Sequence, residues 1–167
     1  VGALFAVRAE PWRVIGPFPG EDPLAALDRT YPPEEKLEFD QSYPGVRDPV
    51  RWNAQPGYED GRAHVFVQYL HGLHGVYYFH RKIAASQPAT LEIAVRADDL
   101  VKIWLNGKEL ARRDRKLEMG DPPVTVKLAL QAGENELLIK VTNLQGESRF
   151  RFDKELADDH ALPGQVA

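Results

Sequence analysis

Four aromatic residues, Tyr31, Tyr43, Trp52 and Tyr58, fall in stretches rich in proline, glycine and polar side chains. Asn53, Gln55, Glu59, Asp60 and Arg62 surround Trp52 and Tyr58 in the chain. An aromatic plane can pack on the apolar face of a sugar ring while amides, carboxylates and guanidinium groups bond its hydroxyls. Small-ligand sites have this mixed character. Trp52, Tyr58 and Arg62 are therefore candidate ligand-binding residues. The competing reading of Trp52, and more strongly of Trp12, is a large aromatic plug under the surrounding loops. His71-Gly72-Leu73-His74-Gly75, with His80 beyond it, is a second group with chemical potential. Two imidazoles in one turn can hold a metal. No acidic partner stands at ligand spacing near them, so exposed imidazoles on a glycine-flexed connection are expected.

Other chemistries have weaker signals. The chain has no cysteine, which excludes a thiol nucleophile, a zinc–thiolate site and a disulfide framework. Ser42, Ser86 and Ser148 lie outside any nucleophile elbow, and no phosphate-cradling or dinucleotide glycine motif is present. The acidic residues fall mostly at turns or on alternating faces, so the expectation is a protein that is not an enzyme. The formal net charge of -4 carries no long run of one sign, which speaks against a phosphate-backbone surface and hence against nucleic acid. Arg112, Arg113, Arg115 and Lys116, interrupted by Asp114, read as a solvated loop. No stretch approaches the roughly 20 apolar residues of a membrane-spanning helix.

The elements that must position these residues are mostly strands. Leu91, Ile93 and Val95 alternate with Glu92, Ala94 and Arg96; Val101, Ile103 and Leu105 alternate with Lys102, Trp104 and Asn106. This is period two, the strand period. Tyr77, Phe79 and Ile83 share one face of a further strand, with Tyr78, His80 and Lys82 on the other. Residues 63–70, Val124 to Leu130, Leu137 to Val141 and Arg149 to Phe152 extend the series. Asn106-Gly107 marks a tight hairpin, because both turn residues must take positive φ. Trp104 is out of phase with its apolar neighbours and is assigned to cover an outer face or a domain interface ahead of the alternative, stacking on a sugar. The front third differs. Asp22 and Pro23 suit an N-cap and first position of a short helix reaching Asp28, with Leu24 and Leu27 on one face. Tyr31-Pro32-Pro33-Glu34 then breaks it, and proline of this density wraps a sheet rather than entering its middle. About seven or eight strands, with little helix, predict an all-β antiparallel sandwich or barrel.

Two segments sharpen this reading. Asp98-Asp99-Leu100-Val101-Lys102-Ile103-Trp104-Leu105-Asn106-Gly107-Lys108, and Leu130-Gln131-Ala132-Gly133-Glu134-Asn135-Glu136-Leu137-Leu138-Ile139-Lys140-Val141, resemble the galactose-binding-like jelly-roll modules that accompany many glycoside hydrolases. Trp12 to Phe18, Tyr31 to Glu34 and Val50-Arg51-Trp52 resemble modules of large extracytoplasmic bacterial proteins, including planctomycete cytochrome-type ones. The resemblance spans roughly residues 10–152 and implies a jelly-roll β-sandwich. It also implies an extracytoplasmic, non-catalytic module of a larger protein, with polysaccharide or glycan and neighbouring domains as partners. The alternative it leaves open is a structural or protein-interaction domain, docking through Trp104 and the Tyr77/Tyr78 region. Asp98-Asp99 resembles the aspartate pair of protective-antigen-type adhesins, where the pair can bind calcium that holds sugar hydroxyls. Asp98 and Asp99 are thus candidate ligand-binding and metal residues, with Ca2+ the implied ion; their other reading is a turn closed by side-chain-to-backbone bonds. The chain starts at Val1 without Met and ends in the linker-like run Asp158 to Gly164. The expectation is a piece of a longer protein, with residues 1–155 one sandwich domain and 156–167 a tail.

Overall fold

The structure, a computed structural model, describes residues 6–67, 74–116, 118–143 and 147–154. The expected tail and His71 lie outside the described residues. The front third contains β1 (Val7–Ala9), β2 (Trp12–Phe18), α1 (Pro23–Asp28), α2 (Pro32–Glu35), β3 (Ser42–Tyr43), β4 (Val50–Arg51) and β5 (Asn53–Gln55). The rest is β6 (His64–Val67), β7 (Gly75–Ala85), β8 (Ala89–Ala97), β9 (Leu100–Leu105), β10 (Lys108–Arg113), β11 (Val124–Leu130), β12 (Gly133–Asn143) and β13 (Ser148–Lys154).

These form an antiparallel β-sandwich. One sheet has the order β10-β9-β12-β7-β2-β5, with β1 also on β7. The other has the order β11-β8-β13-β6, and β3 and β4 form a small separate ribbon. Asn106 and Gly107 both have positive φ (51° and 81°), as a two-residue hairpin joining β9 to β10 requires.

Alternation along the strands sorts the large sheet into two faces. On the inner face Ile103, Ile139, Phe79 and Val14 lie in one cross-strand row. They pack against β8, β11 and β13, where Leu91, Ile93, Val95, Leu128, Phe150 and Phe152 are buried. Phe79 stacks on Phe150 with ring centroids 4.0 Å apart, and Trp12 meets Phe150 and Phe152 edge-on.

The outer face is not left to solvent. Residues 19–49 fold back across it, and α1 rests on β7, β9 and β12. Ile15, Phe18, Tyr31, Val50, Trp52, Val76, Tyr78 and Leu138 make a second core beneath this wrap. The proline-rich region therefore wraps a sheet, as its composition requires.

Several expectations need correction. α1 ends at Asp28, ahead of Tyr31-Pro32-Pro33-Glu34, as expected, but Pro32 to Glu35 go on to form a short helix of their own, Pro at the first position needing no N–H partner. Asp22 caps α1 through Leu24 N as expected, but Leu24 is exposed while Leu27 is buried. Arg112 and Arg113 are on strand β10, not in a solvated loop: Arg112 is held by Asp28 and Glu109, and Arg113 is buried. Tyr77 and Tyr78 are buried on opposite faces of β7, which removes them as a docking surface.

Candidate functional site

The outer face carries two polar-aromatic rows. Trp104, Leu138, His80 and Arg13 are cross-strand neighbours along β9, β12, β7 and β2; Lys102, Lys140, Tyr78 and Ile15 form the next row. Charged groups under a wrap must find partners, since an unpaired buried charge is costly. Lys140 is fully buried and donates to the carbonyls of Leu27 (2.9 Å) and Arg29 (2.6 Å) at the end of α1, and to Glu34 Oε2 of α2 (2.7 Å). Tyr78 donates its hydroxyl to the same Glu34 oxygen. Burial pushes the Lys140 ammonium below its ordinary range and Glu34 opposes this. Burial, aided by Glu34, pushes the Tyr78 hydroxyl far up, so it stays a donor. One ammonium thus ties both helices of the wrap to the sheet.

Where the wrap stops short of the β9–β10 hairpin, a groove of about 390 Å³ opens, within the roughly 300–1,000 Å³ of small-ligand sites. Pro33, Leu37, Trp104 and Leu138 give it apolar surface, and Glu34, Glu35, Lys36 and Glu136 give it polar groups. Trp104 is partly buried against the second core, and Lys102 Nζ sits 5.3 Å from its ring centroid. Lys36 is turned to Glu38 (2.8 Å). Glu136 is held by His80, which is wholly buried and packs on Phe39 at 4.7 Å between centroids. The arrangement can stack an apolar ring face and accept hydrogen bonds from hydroxyls or ammonium groups.

His80 gives the fold a pH dependence. Burial lowers its pKa, Glu136 opposes this, and Arg13 and Lys82 reinforce it, so the net shift is downward. A depressed folded-state pKa means that stability is full above the unfolded value of about 6.5 and is lost as pH falls toward the folded value. The melting temperature should fall between pH 7.5 and 5, and His80→Gln should flatten that fall. A profile unchanged in the variant would show that His80 does not carry it.

The residues named from sequence lie elsewhere and do not converge. Trp52 is 7% exposed and packs on Phe39 in the second core, so the plug reading describes its position. Tyr58 stacks on His64 with centroids 4.6 Å apart, and Arg62 is exposed beside Glu59. Their loop is pinned by Asp60, which binds Arg81 (2.9 Å) and Lys154 (3.1 Å). Burial raises the Asp60 pKa, but Arg81 and Lys154 outweigh it and hold the carboxyl below its ordinary value. Asp98 and Asp99 sit beside the other end of β13, where Ser148 donates to the Asp98 carbonyl. Along β13, the Gly61 N–H donates to the Phe152 carbonyl (2.8 Å) and His64 is paired with Phe150, while Asp98 is tied at Ser148. From sequence, Trp104 reads first as cover for an outer face or an interface and only second as a sugar-stacking ring. Glu34 to Leu37 and Glu136, which complete its groove, were not singled out.

Calcium, the ion implied for Asp98 and Asp99, does not fit their turn. It needs six to eight oxygens. The carbonyls of Ala97 and Asp99 accept from Arg113 Nη2 (2.6 and 3.1 Å), and that of Asp98 from Ser148. Among the described residues, no group of three or more acidic or histidine side chains could hold a metal ion.

No family model matches the chain, and no curated protein matches it. Solved structures similar to it include a PA14 sugar-binding domain from an RTX adhesin, at 22% identity over 46% of this chain and 44% of that one, TM-score 0.35. A β-glucuronidase from an uncultured Clostridium sp. matches at 14% identity over 92% of this chain and 30% of its own, TM-score 0.48. A β-galactosidase from Bacteroides fragilis described as putative matches at 14% identity over 90% and 23%, TM-score 0.44. The chain thus spans less than half of each of these proteins.

Proposed function

We propose that this chain is a non-catalytic glycan-binding module of a larger extracytoplasmic protein, with its ligand in the groove over Trp104. One observation carries the reading: a partly exposed indole beside a small-ligand-sized groove rimmed by polar side chains. The indole takes the apolar face of a sugar ring, and Glu35, Lys36 and Glu136 meet its hydroxyls. Three lining carboxylates against one lysine disfavour uronic or sulfated polymers, so neutral or basic sugars are the expected class. Affinity is modest, because an open groove buries little area against the cost of ordering the ligand.

A glycan array spanning plant, algal and microbial polysaccharides, followed by calorimetry on each hit, tests this. Trp104→Ala should weaken binding at least tenfold, roughly 1.4 kcal/mol, in a variant that stays folded at the assay temperature although its melting temperature falls, because the indole also packs on the second core. Unaltered affinity in that variant removes the groove. Release of reducing ends from a bound polysaccharide removes the non-catalytic part. A second reading, a structural domain that positions its neighbours, draws support from Glu34 and Glu136, whose carboxylates already have internal partners. Silence across the array would favour it.

A further inference from the structure

The turn between β8 and β9 gathers acidic groups and backbone oxygens where the sandwich layers meet, and a side chain of the protein supplies its positive charge. We propose that Arg113 is the resident cation of the Asp98–Asp99 turn, so that this end of the sandwich is assembled by a guanidinium and not by a metal ion. Arg113 reaches the turn because β10 pairs with β9, placing it opposite Val101 just past the acidic pair. It is 8% exposed. Its Nη2 bridges the carbonyls on either side of Asp98, those of Ala97 and Asp99. Ser148 of β13 takes the carbonyl of Asp98 itself, and the Asp99 N–H donates to Thr142 of β12. The turn is thereby tied to strands of both sheets, and its backbone oxygens are engaged with protein donors.

Charge agrees with this geometry. Arg113 Nε and Nη1 are buried without hydrogen-bond partners among the described residues, so the charge is met through space, by Asp121 and Asp98. Burial and the neighbouring Asp99 push the Asp98 carboxyl above its ordinary range, and Arg113, Arg96 and Arg149 oppose this. A divalent ion entering here would displace the guanidinium from two carbonyls and face these cations. A charge that is part of the chain carries no dependence on ion concentration, unlike a bound metal, whose stabilisation follows its free concentration.

The experiment is thermal unfolding of the intact chain in 5 mM calcium chloride and in excess chelator, together with titration of calcium chloride by calorimetry. The proposal expects the same melting temperature in both buffers and no binding heat; a calcium-dependent rise in melting temperature overturns it. Arg113→Met should lower the melting temperature by several degrees, and adding Asp98→Asn to that variant should recover part of the loss, because the uncompensated carboxylate is then neutral. A double variant no more stable than Arg113→Met overturns the pairing of Arg113 with Asp98. Calcium titration of the unsubstituted chain still decides between guanidinium and metal if Arg113→Met does not fold.

Discussion

Replacing Lys140 with Met is expected to cost about 3–5 kcal/mol, the range for removing one partner of a buried ion pair. Met matches the stem in length and leaves no large void. What is lost is the ammonium that satisfies the carbonyls of Leu27 and Arg29 and the carboxylate of Glu34. Glu34 would then be a charge 11% exposed with only the Tyr78 hydroxyl for company. For a domain of this size the melting temperature should drop by roughly 10 °C. The loss should fall on the wrap more than on the sandwich, since the inner core does not touch Lys140. Hydrogen exchange should therefore rise first in α1 and α2. Glu34→Gln in the same chain should restore part of the stability by removing the orphaned charge. A Lys140→Met protein as stable as its parent would mean that the wrap is held by apolar contacts alone.

Asn135→Ala is the second large effect, expected at about 2–4 kcal/mol for several buried hydrogen bonds lost together. The side chain is wholly buried. Its oxygen accepts from Gln131 N (2.9 Å) and Asn106 Nδ2 (3.0 Å), and its amide nitrogen donates to Ile83, Gln131 and Gly133 carbonyls. Asn106 in turn accepts from the Glu136 N–H (2.8 Å), and its own N–H donates to the Glu136 carbonyl. Asn135 therefore joins the β9–β10 hairpin to the turn that starts β12, and with it two sides of the groove. Chemical denaturation of Asn135→Ala and Asn135→Asp should both show the loss, since Asp cannot donate to the three carbonyls. Stability within about 0.5 kcal/mol of the parent in either variant would contradict this role.

The same pair shows how far local pattern carries. Asn106-Gly107 and Gly133-Glu134-Asn135 are legible as turns from residue type alone, and alternation reveals β8, β9 and β12. That the two turns bond each other is a tertiary fact with no local signal. The wrap was legible only as a region that cannot enter a sheet. Its consequence was hidden: covering the outer face buries Tyr78, His80 and Lys140, which alternation places opposite the main core. The groove was hidden for a related reason. Trp104 meets Glu34 to Leu37 across about seventy residues of chain, and neither segment has a motif that names the other. Trp52 stood out because polar residues flank it in sequence, yet its ring is packed inward against Phe39. Arg113 looked solvated because charge runs usually are; one member of the run is instead turned inward by strand pairing.

The most direct measurement is an amide and indole chemical-shift map of the 15N-labelled protein titrated with the strongest glycan from the array. Binding over Trp104 predicts shifts concentrated at the Trp104 indole and at Glu35, Lys36, Gly107 and Leu138. Shifts gathered instead at Tyr58 to Arg62, or at Asp98 and Asp99, with the Trp104 indole unmoved, would contradict it.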